Sequence, residues 1–443
     1  MKMIFRILLT LLSIIIFSAE TYSQGTWEKI DSPTDQFLKS IHFVDSLYGW
    51  AVGYSGTIIH TSNGGDNWIV QDSKTESEIV DVFFLNRSLG WASAWNYTNV
   101  PFGTLLLKTT DGGLNWTSEA YREDNLFMTN ILFTDSLNGW MGGSPHALVR
   151  TTDGGVNWQQ AHIDTMTFAL FPVLNIQFYN SDYGYACGGR FDIAGVIWRT
   201  TTGGDSWTPI DPLYAPPDEI WQMYFFDSLN VIGVGGDPDQ FGVGFINTTD
   251  AGNSWDYNEI GILGAARAVS FRTGSEGWAP IPLAHSFVYT LDSAKTWTEV
   301  YAPDSAAIYD LIFPDSLHGF AAGEEGAILK YKPPIVDEVK VIAQTTPNSY
   351  QLYQNYPNPF NPTTKIKFSI PTNQKGEPSN VKVVVFDILG NEVASLLDKE
   401  LLPGRYEVEF GSMIGNKQLV SGIYFYQLRT GGFVETKKMI LMR

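Results

Sequence analysis

One eight-residue phrase returns seven times along this chain, and it constrains the fold more than any other feature. The first copy runs Phe43-Val-Asp-Ser-Leu-Tyr-Gly-Trp50. Its opening Phe recurs as Phe84, Phe133, Phe178, Phe225, Phe271 and Phe313, at spacings of 41, 49, 45, 47, 46 and 42 residues. A second phrase, Thr-x-Asp-x-Gly-x-x-Trp, follows six of the copies, from Thr61 to Trp68, Thr109 to Trp116, Thr151 to Trp158, Thr200 to Trp207, Thr248 to Trp255 and Thr290 to Trp297. Each unit reads as four short strands; in the first these are Lys39 to Phe43, Gly49 to Gly53, Thr57 to Thr61 and Trp68 to Gln71. Four antiparallel strands in about 45 residues are one propeller blade, so the repeat predicts a seven-bladed β-propeller over residues 24–332.

The mismatch between seven first phrases and six second ones has a topological meaning. The last unit ends at Ile328-Leu-Lys-Tyr331 without a fourth strand, whereas Trp27-Glu-Lys-Ile30 precedes the first phrase as an orphan strand. We therefore expect the N-terminal strand, with Trp27 on it, to complete the last blade and remove two open sheet edges.

The second phrase is turn chemistry. Its hydroxyl and carboxylate can bond the backbone amides of a tight turn, its glycine permits positive φ, and its Trp closes over a neighbouring sheet. The positions concerned are Asn63, Gly65 and Trp68; Asp111, Gly113 and Trp116; Asp153, Gly155 and Trp158; Gly204 and Trp207; Asp250, Gly252 and Trp255; and Asp292 and Trp297. Departures at Asn63, Thr202 and Ala294 predict less tightly held turns. The phrase resembles the Asp-box of bacterial neuraminidase repeats. With Gly49-Trp50-Ala-Val-Gly53 and Thr109-Thr-Asp-Gly-Gly113, the propeller is similar to the photosystem II assembly and stability factor family, which implies a protein-binding or scaffolding theme.

Composition agrees with an all-β chain, being 44% hydrophobic and 14% aromatic with 42 Gly and 22 Pro. Charge is uneven. Residues 24–345 hold 15 basic against 38 acidic side chains (15 − 38 = −23), and residues 346–443 hold 11 against 8 (+3). An acidic propeller repels phosphate backbones, which argues against nucleic acid as a partner. The single cysteine, Cys187, lies in a strand position that suits a buried thiol and excludes an intramolecular disulfide. Lys2, Arg6 and the apolar run Ile7 to Phe17 predict a secretory signal peptide over residues 1–23, cleaved after Ser23. No stretch is long enough to span a bilayer as a helix.

Past an expected linker, 333–349, periodicity changes. Strands expected at Thr364 to Ile370, Val381 to Asp387, Arg405 to Phe410, Ile423 to Arg429 and Lys437 to Met442 predict an immunoglobulin-like β-sandwich over 350–443. Five stretches resemble the type A sorting domain of the type IX secretion system: Tyr356-Pro-Asn-Pro-Phe-Asn-Pro362, the turn at Gly390, Leu402-Pro403-Gly404, Ser421-Gly422, and the terminal Lys437, Lys438 to Arg443. The resemblance implies Sec export, passage through the type IX machinery, and release or attachment to lipopolysaccharide after the module is removed.

Candidate binding residues come from the longer insertions between phrases, because loops on a rigid frame collect function. They are Trp95, Tyr97 and Phe102; Arg190 and Asp192; and Asp237 and Asp239, with a further insertion from Asp211 to Asp218. Mixed aromatic and polar groups suit a protein or glycan ligand. The alternative is a sialidase-like or other glycoside hydrolase, for which Asp237 and Asp239 would be the paired carboxylates or a weak cation site. No nucleophile elbow, phosphate loop or zinc spacing is present, and neither cofactor nor metal is expected. Basic residues before the second phrase, Lys108, Arg150, Arg199 and Lys330 with His60, read either as an anion-binding ring or as solvated strand ends.

Overall fold

The computed structural model describes residues 24–442 except 99, 165–170, 238–241, 334–339, 344–346, 362, 373–377, 412 and 415–416. The expected signal peptide, Asp239 and Arg443 lie outside the described residues. Seven antiparallel sheets follow one another along the chain, each opening on the strand that carries the first phrase. Blade one is Leu38–Phe43, Gly49–Gly53, Ile58–Thr61 and Ile69–Gln71. Blade seven is Ile308–Ile312, Phe320–Gly323 and Ile328–Lys332, completed by Thr26–Ile30 in the register Trp27↔Tyr331.

The first phrase is a packing device that joins one blade to the next. Its terminal aromatic stacks on the opening Phe of the following blade: Trp50 on Phe84 at 3.5 Å, Trp91 on Phe133 at 3.6 Å, and Phe320 on Phe43 at 3.9 Å across the seam. Within six of the blades the Phe ring lies across the phrase glycine, which blade five replaces with Val231. A Cβ on Gly49 would sit 2.4 Å from Phe43, which is why Gly precedes the aromatic.

The second phrase builds the turns as its chemistry requires. The Thr Oγ1 accepts the amide four residues on, from Gly65 at 3.0 Å, Gly113 at 2.9 Å and Ala294 at 3.0 Å. Asp111 Oδ1 accepts from the Asn115 amide at 2.9 Å, and at the departures Asn63 Oδ1 accepts from Asn67 at 3.0 Å and Thr202 Oγ1 from Ser206 at 3.1 Å. The expected loosening is thus not seen in the bond lengths; what Asn63 and Thr202 give up is the negative charge of the acceptor.

Trp27 occupies the position that the phrase Trp holds in other blades. It is 8% exposed, stacks on Phe287 at 5.3 Å and meets Trp278 edge-on at 5.9 Å. Beside it, the Gly25 amide donates to Tyr331 Oη at 3.1 Å, and the Tyr331 hydroxyl donates to the buried Glu276 carboxylate. Glu276 also accepts from Trp278 Nε1 at 3.1 Å and Arg272 Nε at 2.9 Å, so the closing strand docks on a satisfied buried network. One feature lies outside the sequence reading: His162–Ile163 runs parallel to Ser206–Pro209 and covers the outer edge of blade four.

The C-terminal unit packs two four-stranded sheets around Ile366, Phe368, Val383, Tyr426, Leu428 and Met439. Glu392–Leu401 is an additional strand, and Lys340–Ala343, inside the expected linker, pairs with Gly404–Gly411 and belongs to the sandwich. The prolyl segment is pinned to the last strand, Phe433–Leu441. The Phe360 amide donates to the Ile440 carbonyl at 2.9 Å and the Ile440 amide to Asn358 Oδ1 at 2.9 Å. Gly390 takes φ +85° in a turn whose Asp387 accepts from Leu389 and Asn391; Tyr406 Oη bonds the Leu402 carbonyl beside Pro403 and Gly404. Gly422 opens the strand Gly422–Thr430, Lys437 pairs with Glu435 at 3.1 Å, and the Lys438 carbonyl accepts from Gln354.

Trp27→Ala removes a buried aromatic from the seam and is expected to cost about 3–5 kcal/mol. Denaturant titration followed by tryptophan fluorescence measures it; a loss below about 0.5 kcal/mol would mean that closure does not depend on this side chain.

Candidate functional site

Six inner strands share an irregularity. Their pairing slips between Leu38 and Ser40, Ile79 and Asp81, Met128 and Asn130, Val173 and Asn175, Ile220 and Gln222, and Ile308 and Asp310. A bulge of this kind re-aims the extra residue and frees it from pattern constraints. The freed residue differs in every blade: Lys39, Val80, Thr129, Leu174, Trp221 and Tyr309, with Arg267 at the same spacing from its phrase in blade six.

The residue after the bulge is polar, and in five of the six strands, all but that of Asn175, it staples one blade to another. Asp310 Oδ2 accepts from the Ile41 amide at 2.9 Å, Asp81 Oδ2 from Ile131 at 2.8 Å, Asn130 Oδ1 from Ile176 at 3.0 Å and Gln222 Oε1 from Val269 at 2.6 Å. Ser40 Oγ donates to Asp81 Oδ1 at 2.9 Å. Burial pushes the Asp81 carboxyl up to about 6 against the hydrogen bonds it accepts. Burial likewise pushes Asp310 up to about 7, and the charge of Asp81 adds to the rise.

Around the bulged residues stands an arc of aromatic rings. Phe37 contacts Tyr309 at 4.5 Å and Tyr54 at 4.9 Å, and Tyr97 stacks on Phe127 at 4.9 Å and meets Trp95 edge-on at 6.0 Å. The Lys39 ammonium sits among Trp95, Tyr54 and Phe37, at 5.1, 5.4 and 5.8 Å from their centroids, and pairs with Glu78. Tyr54 and Tyr97 keep 41% and 53% of their surface exposed. Farther along, the Arg267 guanidinium lies 3.6 Å over Trp221, beside an open pocket of about 380 Å³ that Tyr309 and Glu324 also line.

The opposite side of the same ring of loops is acidic. Asp218 and Asp237 are 4% and 2% exposed; burial pushes the Asp218 carboxyl up to about 6, with the charges of Asp237, Asp192 and Glu259 adding to it. Glu219 is raised by burial as well.

Of the residues singled out from sequence, Trp95 and Tyr97 come together, while Phe102 is exposed and makes no ring contact with them. Arg190 ends its strand in solvent, Asp192 turns the chain at φ +58°, and Asp237 is interior, so the paired-carboxylate reading rests on Asp237 alone among the described residues. Phe37, Lys39, Tyr54, Phe127, Trp221, Arg267 and Tyr309 were not picked out. The signal for four of them, Lys39, Trp221, Arg267 and Tyr309, is one repeat position, four before the phrase Phe, where chemistry varies from blade to blade. The row of basic residues is engaged by the protein itself: Lys108 Nζ donates to the Gly154 carbonyl at 2.8 Å, Arg199 to Ala251 at 2.8 Å, Lys330 to Asp66 at 2.8 Å, and Arg150 pairs with Asp205. Each reaches the phrase turn of the next blade, so these groups are interblade staples rather than an open anion-binding ring. His60 bonds the Gly49 carbonyl of its own blade at 3.0 Å, and Cys187 is buried.

Comparison with known proteins places this geometry. Residues 19–124 and 120–218 match the family described as photosynthesis system II assembly factor YCF48, and residues 354–442 match the secretion system C-terminal sorting domain. The photosystem II assembly lipoprotein Ycf48 of Picosynechococcus sp. is 28% identical over 360 residues, which is 74% of this chain and 94% of that protein. YCF48 bound to D1 peptide shares the fold with a TM-score of 0.56 at 21% identity, over 70% of this chain and 100% of that one. A GH74 xyloglucanase from Xanthomonas campestris shares it with a TM-score of 0.52 at 14% identity, over 68% of this chain and 53% of that one. Among the described residues no helix is long and apolar enough to cross a membrane.

A carboxyl whose pKa is raised by folding contributes stability below its unfolded value, near 4, and loses that contribution as pH rises through the folded value. Asp310→Asn removes this loss, so from pH 5 to pH 8 the variant should gain about 1–2 kcal/mol on the wild type, a figure discounted because Asp310 keeps part of its surface exposed. His42, which burial holds down at about 4, acts in the opposite sense but is common to both proteins and cancels. Parallel urea titrations at the two pH values decide it; identical pH profiles would remove Asp310 from the pH dependence.

Proposed function

We infer that this exported protein, with a YCF48-type propeller and a type IX sorting tail, is a non-catalytic capture module that holds a protein segment against the aromatic arc. The tail directs the chain to the cell surface or the medium. The observation that carries the binding reading is the set of residues four before the phrase Phe, bulged in six of the blades. At a position where every blade could repeat itself, the chain instead presents Lys39, Val80, Thr129, Leu174, Trp221, Arg267 and Tyr309, flanked by Tyr54 and Tyr97, whose large rings remain in solvent. Aromatic and arginine side chains at a rigid, partly desolvated face are the groups that dominate protein interfaces. The peptide bound by the YCF48 propeller of like fold supports a peptide ligand over a small molecule. Removal of the signal segment after Ser23 and attachment to lipopolysaccharide after loss of the tail complete the route we propose.

The glycoside hydrolase alternative retains one supporting observation, the raised Asp218 carboxyl beside Asp237, which has the character of a general acid.

Tyr54→Ala with Tyr97→Ala should weaken capture of ligands selected from a peptide array by about tenfold or more while moving the thermal midpoint by only a few degrees, since both rings are exposed. Equal capture by the double variant would take the arc out of the reading. Glycan turnover abolished by Asp218→Asn would replace it with the hydrolase. Deleting residues 350–443 should leave folded propeller in the periplasm, read by cell fractionation; unchanged surface display would refute the sorting role.

A further inference from the structure

The repeat fails at three neighbouring positions where blade five meets blade six, and a cavity of about 810 Å³ opens there. In the other blades the first phrase ends in Trp50, Trp91, Trp140, Tyr185, Trp278 or Phe320, which fills the interface with the next blade; blade five has Ile232. Before the second phrase the other blades carry His60, Lys108, Arg150, Arg199, Tyr289 or Lys330, most of which reach across to the next turn. Blade five has Asn247, which is too short to do so. In the facing turn of blade six, Ala294 replaces the glycine found at Gly65, Gly113, Gly155, Gly204 and Gly252, and it is held at φ +66°.

The space left behind is lined in a particular way. Trp297 stacks on Phe245 at 4.2 Å with planes 10° apart, and it is only half-buried where the five preceding phrase tryptophans are buried. Its indole N–H carries no hydrogen bond among the described residues. The register Phe245↔Asn258 and Asn247↔Asp256 sets two amides and a carboxylate on one face beside the rings. Asn258 Nδ2 donates to Asp256 Oδ2 at 3.0 Å, whereas the Asn247 side-chain amide bonds nothing among the described residues. Lys295 stands on the rim.

We propose that this groove binds a neutral pyranose unit of an extracellular glycan. A sugar ring offers an apolar C–H face to Trp297 and a belt of hydroxyls that both donate and accept, which matches Asn247, Asn258, Asp256 and the free indole N–H. An apolar ligand would leave those amides unpaired on burial. An anion would meet Asp256 inside a domain of balance −23 (15 − 38). The volume falls in the range of small-ligand sites, and delivery to the cell surface puts the groove where glycans are. The groove shares no lining residue with the aromatic arc and does not rest on it.

Saturation-transfer NMR and calorimetry on the mature full chain, with cello-, manno-, galacto- and chito-oligosaccharides, test the proposal; a sialylated oligosaccharide and a tyrosine-rich peptide serve as the other arms. At least one neutral oligosaccharide should bind. Asn247→Lys, which restores the staple found at Lys108, should weaken that binding by about tenfold or more at an unchanged or higher thermal midpoint. Asn258→Ala should weaken it likewise and stands in should the lysine variant not fold, while the Tyr54 and Tyr97 double variant should bind sugar as the wild type does. No binding by any neutral oligosaccharide, binding untouched by both groove variants, or binding of only the anionic or peptide probe would each overturn it.

Discussion

The ring is held shut without a covalent bond. With one cysteine in the chain no disulfide can cross the seam, so closure rests on the pairing of Thr26–Ile30 with Ile328–Lys332 and on what Trp27 buries. The neighbouring Arg272, Glu276, Trp278 and Tyr331 make that burial specific, because the Glu276 carboxylate is costly to bury unless each of these donors is in place. The junction of blade seven with blade one depends on the seam, since an open ring would leave the Phe43 and Phe320 rings apart and two sheet edges unpaired.

Around the ring the same few solutions are repeated: an aromatic on the next Phe, a polar side chain on the next inner strand, and a basic side chain on the next turn. Both proposed binding surfaces lie where these solutions lapse. The bulge lets one residue per blade escape the pattern, which yields the aromatic arc on one side, and the acidic group lies on the other. Between blades five and six the interblade fillers are missing together, and the gap is polar and aromatic rather than collapsed.

Much of this was legible in the residues. Phrase and count gave blades, and the unmatched Trp27 gave the closing strand, because aromatic periodicity is a direct record of interblade packing. The four prominent insertions were a poorer guide. They brought Trp95 and Tyr97 to the arc but placed Phe102 apart and Asp237 in the interior, since loop length says where chain is added and not which way a side chain faces. Lys39, Trp221 and Tyr309 were hidden because a bulge is a feature of pairing, invisible until two strands are set side by side. Lys108 and Arg199 looked available for ligands because their partners are backbone carbonyls about 50 residues on, which carry no side-chain signature. In the sandwich, Glu392–Leu401 escaped notice because a bulge leaves the consecutive Leu396 and Leu397 both buried, which breaks its alternation.

The seam also sets an order of events. Gly25 and Tyr331, which bond across it, are 306 residues apart in the chain, so the loop closed by that contact is the whole propeller. Blades one to six can form from local hairpins, but the last sheet waits for both ends of the domain, and contacts of such separation form slowly. A chain threaded through a membrane from its N-terminus delivers the closing strand first and its partner last. During that interval the molecule is an open arc with an unpaired strand at its leading end, soft enough to be threaded onward or held by a chaperone, and it becomes rigid only when residue 332 has arrived.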